Sequence, residues 1–475
     1  MKSNSFAFLS CQPRTKWIFA ILLAFLASSP IFAVQSTNIP EDVKETIRER
    51  VDSGYNVGII VGIINSNGTC YYSYGKTRLS GNQKPNKDTV FEIGSFTKVL
   101  TSLLLAEMVQ QGQVALEDPI DKFLPSNVRV PERNSKSITL AHLATHTSGL
   151  PRMPDNLLPS DANNPYADYT VDQMYEFLSG YKLQRDIGAQ YEYSNYGGGL
   201  LGHLLALQSG MSYEELFVQR IANELGIPNT RITLTPAMTS SLAKGHAGNI
   251  EVSNWDIPTL AGSGAMRSTA QDMLIFLAAN MGLKKSRLYS AMQVTHKQRH
   301  QAGSPDMHIG LGWHILTSGN RRIIWHNGGT GGYRSFAGFT KDNHRGAVVL
   351  TNSSDSIDDI GFHLLDNNIP LQKRESHNKV EAEILKKYVG KYELVPGAIF
   401  DIALQNGQLT AQLTGQQRFP IYAKSQTEFF YKVVDAQITF VKDKHGKVIA
   451  LVLHQSGFDQ TANKLSKKCS NNFGR

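Results

Sequence analysis

Between Pro40 and Asp52 apolar side chains recur at helical spacing, and the pattern then switches to β-rich runs at Tyr55 to Ile64 and Thr69 to Tyr74, flanking Ser66-Asn67-Gly68. A helix followed by a hairpin is expected there. Helical patterning returns from Ser95 to Gln111, where Gly112 supplies a stop, and again at Val171 to Ser179, Gly199 to Gln208, Tyr213 to Glu224 and Ala270 to Met281. The middle of the chain is therefore mostly α. Strand character resumes at Leu311 to Thr317, Arg322 to His326, Ser335 to Thr340 and Gly346 to Asn352. Strands from both ends of this region are expected to join one antiparallel sheet, giving an α+β fold in which helices flank the sheet and a mostly helical subdomain is inserted.

From Leu371 to Lys379 the residues are polar and aperiodic, as in a linker. Short alternating segments follow at Phe400 to Leu404, Leu409 to Leu413, Glu428 to Val434, Gln437 to Val441 and Val448 to His454, with turn signals at Pro396-Gly397, Asn406-Gly407 and Lys444-His445-Gly446. They read as a small all-β C-terminal barrel or sandwich. The expected division is a leader over 1–33, a main domain over 34–372, a linker over 373–380, a β domain over 381–464 and a basic tail over 465–475.

The leader has Lys2, Arg14 and Lys16 ahead of an apolar run from Trp17 to Leu26, then Ile31-Phe32-Ala33 as a cleavage site, as in an export signal. An uncleaved membrane anchor is the other reading, since Trp17 to Val34 approaches the length that spans a bilayer, although Ser28, Ser29 and Pro30 interrupt it. With Cys11 in the leader, only Cys70 and Cys469 remain, too few for a disulfide framework or a cysteine metal site. Of the formal charge of +8, three positive charges lie in the leader, leaving +5. Much of that excess sits at Lys464, Lys467, Lys468 and Arg475, an end suited to peripheral contact with anionic envelope polymers. No basic stripe with interleaved aromatics points to nucleic acid, and nothing in the sequence calls for a metal or an organic cofactor.

Ser-x-x-Lys occurs five times, at Ser73, Ser95, Ser179, Ser241 and Ser376, so context must choose among them. Only Ser95 lies between a glycine turn, Gly94, and a long apolar helix, which places Lys98 one turn later on the same face. An amine in an apolar wall has its pKa lowered and becomes a base for a serine hydroxyl. Ser95 is equally a residue type that caps helices. Tyr193-Ser194-Asn195 opens onto Gly197-Gly198-Gly199, implying a tight loop before the next helix. A phenol there facing Lys98 would be biased toward phenolate and shuttle protons, with Asn195 orienting a substrate amide and the lysine; a packed tyrosine is the simpler alternative. His326 ends an expected strand and enters the turn Gly328-Gly329-Thr330-Gly331-Gly332. There a substrate backbone would lie along the strand edge, and the Gly329 amide would join that of Ser95 as an oxyanion hole. His326 would set the local field or bind a carboxylate, unless it is incidental to a turn between strands.

The phrases Phe91 to Lys98, Gly112 to Pro119, Leu143 to Pro151, Tyr193-Ser194-Asn195, Ala261 to Met273, Gly310 to Trp313 and His326 to Thr330 together resemble the class C β-lactamase and DD-peptidase family of serine hydrolases, esterases included. The resemblance spans roughly residues 40 to 355. It implies Ser95 as acylated nucleophile, Lys98 as its proton partner, Tyr193 as general base with Asn195 beside it, His326 with Gly328 as the third element, and Gly329 at the second oxyanion position. His146 would shape a supporting loop, and Ser268 with Gln271 resembles a capping box. Typical class C β-lactamases begin the third element with lysine, whereas His326 is similar to some peptidases and esterases of the family. The β-rich end, with Tyr388 to Tyr392, resembles the lipocalin-like domains of peptidase-type members. A periplasmic D-alanyl-D-alanine carboxypeptidase or endopeptidase acting on peptidoglycan peptides, with penicillins as acylating mimics, is therefore expected. A β-lactamase, an esterase and a non-catalytic penicillin-binding sensor are the alternatives, and the sequence is silent on oligomeric state.

Overall fold

The computed structural model describes residues 37–374, 380–416, 418–431, 436–455 and 458–465. The expected leader, most of the linker and nearly all of the basic tail lie outside the described residues, and the strand expected to reach Val434 is described as far as Tyr431. No helix among the described residues is long and apolar enough to cross a membrane.

An eight-stranded antiparallel sheet forms the frame, in the order Gly68–Gly75, Gly58–Asn65, Arg345–Thr351, Arg334–Thr340, Arg321–Gly329, His314–Ser318, Met307–Ile309 and His300–Gln301. The first hairpin pairs with the last strand in the register Val61↔Val349. The two ends of the region thus meet in one sheet, and the helical part is inserted between them, as expected. Alternate side chains serve opposite faces. Ile59, Val61 and Ile63 pack with Val43 and Ile47 of the helix Glu41–Asp52 and with Ile360 and Leu364 of the helix Asp358–Leu365, while Ile60 joins the larger core on the other side. Arg50 and Asp359 lock those two covering helices together through two hydrogen bonds, the pair being almost wholly buried.

The larger core is built around the helix Thr97–Gln110, whose residues from Thr97 to Met108 are all buried, as a helix that is apolar on every side requires. Against it lie the helices Asn195–Ser209 and Tyr289–Thr295 and the short Ala261–Gly264 turn. Three details depart from the sequence pattern. The helix expected from Gly199 begins at Asn195, so Gly197 and Gly198 lie inside it and not in a loop, and glycine here lets other segments approach closely: a methyl on Gly199 would meet Leu260 Cα at 2.8 Å. The strand expected to end at His326 continues to Gly329, and Leu311 to Trp313 precede the strand they were expected to begin. A π turn over Val218–Ala222 interrupts the helix expected across Tyr213 to Glu224.

The C-terminal strands close into an eight-stranded barrel. Its core contains Tyr388, Tyr392, Phe400, Phe429 and Phe440, with Tyr388 stacked on Phe440 at 4.2 Å between ring centroids. The sequence pattern missed the helix Ala382–Tyr388 and the strands Gly390–Val395, Phe419–Ala423 and Phe458–Lys464. The last exposes its first four residues and so shows no alternation; it is a strand because closure pairs it with Val448–Gln455 and Gly390–Val395. Tyr422 of the barrel stacks on Tyr55 of the main domain at 6.5 Å.

Candidate active site

Gly94 takes a left-handed conformation, φ +50°, and turns the chain from the strand Val90–Glu92 into a single 3-10 turn, Gly94–Phe96, which feeds the buried helix. Phe96 anchors this turn, packing edge-on to Trp313 at 5.6 Å and to Phe276 at 5.9 Å. Ser95 makes no capping bond to the helix that follows. Its hydroxyl instead meets Lys98 Nζ at 3.1 Å and hydrogen-bonds the Tyr193 side chain.

Lys98 Nζ also donates to Asn195 Oδ1 at 2.9 Å and to the Ser263 carbonyl at 2.7 Å. Burial, with Arg152 adding like-charge repulsion, holds its amine well below the usual lysine range. A neutral amine has two N–H groups and one lone pair. With Asn195 and Ser263 accepting the two N–H groups, the lone pair is left for the Ser95 hydroxyl, the arrangement a base needs. Gly198 makes room for this: a methyl there would lie 3.1 Å from Lys98 Cε and 3.3 Å from both Cδ and Cγ.

Tyr193 is pushed up to about 12 by burial, against the opposing pull of its bond to Ser95 and of Arg152. The phenol is therefore protonated at neutral pH, which corrects the expected bias toward phenolate. Its ring faces Lys98 Nζ at 4.8 Å and Arg152 at 5.2 Å. Three histidines surround it, with ring centroids at 4.6 Å for His146, 6.5 Å for His314 and 6.2 Å for His326. His146 Nδ1 accepts the Ser194 N–H at 3.2 Å, and His314 Nε2 meets the Tyr191 hydroxyl at 2.9 Å. They clamp the Tyr191 to Ser194 segment from two sides. Burial first, and the positive surroundings second, hold all three rings below the ordinary histidine range, His314 at about 4.

Gly328 and Gly329 lie against the turn that carries Ser95. Ser335 Oγ donates to the Ile93 carbonyl at 2.8 Å, and a methyl on Gly94 would sit 2.6 Å from the Gly329 amide nitrogen. Only residues without side chains permit this approach, which brings the Gly329 amide beside Ser95. Pairing of the Arg321–Gly329 strand with its His314–Ser318 neighbour ends at Trp325↔His314, while pairing on its other side runs on to Gly329↔Arg334. Residues 326 to 329 thus keep one edge without a strand partner. Trp255 closes over the following glycines, 2.9 Å from where a methyl on Gly331 would lie, and packs on Tyr166 at 5.3 Å. Glu92 holds that loop by accepting from Asn254 Nδ2 at 2.9 Å and the Trp255 N–H at 3.0 Å.

All seven residues singled out from the sequence, Ser95, Lys98, Tyr193, Asn195, His326, Gly328 and Gly329, converge around one point. His146 falls in the supporting position expected of it. Sequence reasoning missed the Ser263 carbonyl, His314 and Arg152. The first lies in the Ala261 to Met273 phrase, which carries the signal; a backbone acceptor has no residue type to betray it. Among the described residues, no group of three or more His, Cys, Asp or Glu side chains is arranged to hold a metal ion.

The β-lactamase family model matches residues 43–363, and a domain of unknown function matches 374–467. The chain is 32% identical to the D-alanyl-D-alanine-carboxypeptidase/endopeptidase AmpH of Escherichia coli K12 over 380 residues, covering 74% of this chain and 97% of that protein. It is 24% identical to penicillin-binding protein 4* of Bacillus subtilis, covering 82% and 91%. A solved β-lactamase/D-alanine carboxypeptidase from Yersinia pestis, in complex with citrate, superposes with a TM-score of 0.59 at 26% identity, over 66% of this chain and 92% of that one. A class C β-lactamase from Rhodobacter sphaeroides shares the fold at 22% identity, with a TM-score of 0.61, over 70% and 99%. With a serine, an amine and a phenol meeting at a buried helix start, and with relatives of this kind along most of its length, the chain belongs to the β-lactamase family of serine hydrolases.

Proposed function

We propose that the protein is a serine D-alanyl-D-alanine carboxypeptidase/endopeptidase that cleaves peptidoglycan peptides through an acyl-enzyme on Ser95 and is acylated by penicillins as substrate mimics. The observation that carries this reading is the Lys98 amine, held by Asn195 Oδ1 and the Ser263 carbonyl with its nitrogen 3.1 Å from Ser95 Oγ. Lys98 takes the hydroxyl proton as Oγ attacks the scissile carbonyl carbon, and the Ser95 and Gly329 N–H groups receive the developing oxyanion. When the tetrahedral intermediate collapses, Tyr193 gives its phenolic proton to the departing amine and is reprotonated from Lys98. Water then attacks the ester, losing its proton through the same pair, and Ser95 leaves as the alcohol. Asn195 keeps Lys98 in line, and the open edge over residues 326 to 329 receives the extended peptide.

The leader supports export with cleavage near residue 33 and action in the periplasm, and the division into a hydrolase domain over 34–372 and a β domain over 381–464 is part of the same reading. Purified protein incubated with fluorescent penicillin, a D-Ala-D-Ala peptide, a chromogenic cephalosporin and a chromogenic ester tests it, beside Ser95→Ala. A retained label with released D-alanine is expected. Rapid label loss with drug hydrolysis would make it a β-lactamase, ester turnover without label an esterase, and label without any turnover a sensor.

A further inference from the structure

Arg152 is the fixed cation at the Ser95 cluster: it sets like charge against Lys98 and His146, and no carboxylate figures among the groups that act on Lys98, His146 or His314. The third motif adds no cation of its own. His326 Nδ1 hydrogen-bonds the Asn327 carbonyl and so carries the ring proton, which leaves Nε2 a buried acceptor with no partner. An acceptor nitrogen repels a carboxylate, so the carboxylate-binding role expected of His326 has to pass to another residue.

Arg152 is the cation that stands beside Tyr193. Its carbonyl accepts the N–H of Asn195 at 3.0 Å and of Tyr196 at 3.3 Å, which ties its backbone to the first turn of the helix that bears Asn195. Its side chain is exposed, with the guanidinium 5.2 Å from the Tyr193 ring centroid, and it forms no ion pair with a described carboxylate. Other cations near the core are committed: Arg267 to Glu92, Arg220 to Glu107, Arg50 to Asp359. A guanidinium stacked on an aromatic face keeps its N–H fork free for a bidentate acceptor.

We propose that Arg152 is a specificity-determining residue that binds a carboxylate of the substrate peptide as it passes Tyr193. This rests on the peptidase reading and names what the peptide must carry. Two carboxylates of such a peptide qualify, the C-terminal one of the leaving residue and a side-chain one on the acyl donor.

The test is kcat/KM of the full chain, its Arg152→Gln variant and its Arg152→Lys variant on four D-Ala-D-Ala peptides, with the terminus free or amidated and the donor side chain acidic or neutral. Wild type is expected to prefer one carboxylate-bearing member of a pair about tenfold, the size of one charge-assisted hydrogen bond. Arg152→Gln should bring that ratio to about one, and Arg152→Lys should keep part of it. The pair whose ratio collapses identifies which carboxylate is bound. Equal loss on all four peptides would overturn the proposal, since Arg152 would then act only through the field at Lys98 and Tyr193; so would no change on any. If wild type cleaves none of the four, the peptidase reading itself fails and this proposal with it, whereas cleavage without preference sinks the Arg152 assignment alone.

Discussion

Gly202→Ala probes how the lysine is held from two turns away. The helix Asn195–Ser209 crosses the Ala261–Gly264 turn at Gly202, where a methyl would lie 2.8 Å from Gly262 Cα and 3.2 Å from Gly262 N. Ordinary carbon contacts begin near about 3.5 Å, so the two segments must part by roughly 0.7 Å. Overpacking of this kind costs about 1–3 kcal/mol, against about 1 kcal/mol returned by alanine over glycine in a helix, so net destabilisation of about 0–2 kcal/mol is expected. The catalytic effect should be larger. Gly262 supplies the carbonyl that accepts from Thr101 Oγ1 at 2.7 Å, and Ser263 the one that accepts from Lys98 Nζ at 2.7 Å, so displacing this turn loosens one of the two acceptors that aim the lone pair. Misplacement on the order of 1 Å costs up to about 10²-fold in rate, and a loss of roughly tenfold or more in the rate of penicillin labelling is expected. Stopped-flow labelling and thermal melting would be read side by side, with Leu207→Ala on the exposed side of the same helix as reference. A variant that melts lower yet labels at the wild-type rate would refute the link between this crossing and the lysine.

Four further outcomes are expected. Ser95→Ala should abolish every covalent adduct, and Tyr193→Phe should slow both its formation and its breakdown, measured as burst and steady-state rates; unaltered breakdown would remove the phenol from the second half-reaction. Arg50→Ala should cost about 3–5 kcal/mol in urea unfolding, because it strands the buried Asp359 carboxylate; a loss under 1 kcal/mol would show the pair to be dispensable. Acid should destabilise the fold: His314, about 4 when folded against about 6.5 unfolded, stays neutral in the native state while the unfolded chain takes up protons, so its contribution is intact above pH 6.5 and is lost as pH falls toward 4. That ring alone accounts for roughly 3 kcal/mol, and a melting temperature flat across this window would contradict its burial as a neutral base.

The elements with strong periodicity were legible from residues alone: the helix from Ala270 to Met281, the hairpin around Asn67 and the helix after Ser95. Legibility failed where one residue type serves two physical ends. Glycine signals a turn when its backbone freedom matters, yet Gly198, Gly199 and Gly202 sit in a helix because a neighbour needs the space. Polar strands such as Phe458–Lys464 carry no alternation because only barrel closure makes them strands. At the site, the residue types with reactive side chains announced themselves, whereas the clamp formed by His146 and His314 depends on segments more than 150 residues apart being folded together.

The tight fit behind the lysine restricts how this enzyme can diversify. Neither Gly198 nor Gly202 nor Gly262 has room for a larger side chain, so that wall is closed to experimentation. Selection for new acyl donors, in a laboratory or under drug pressure, should therefore collect its changes on the rim loops that bear Arg152, Tyr166 and Trp255, leaving the proton machinery as inherited.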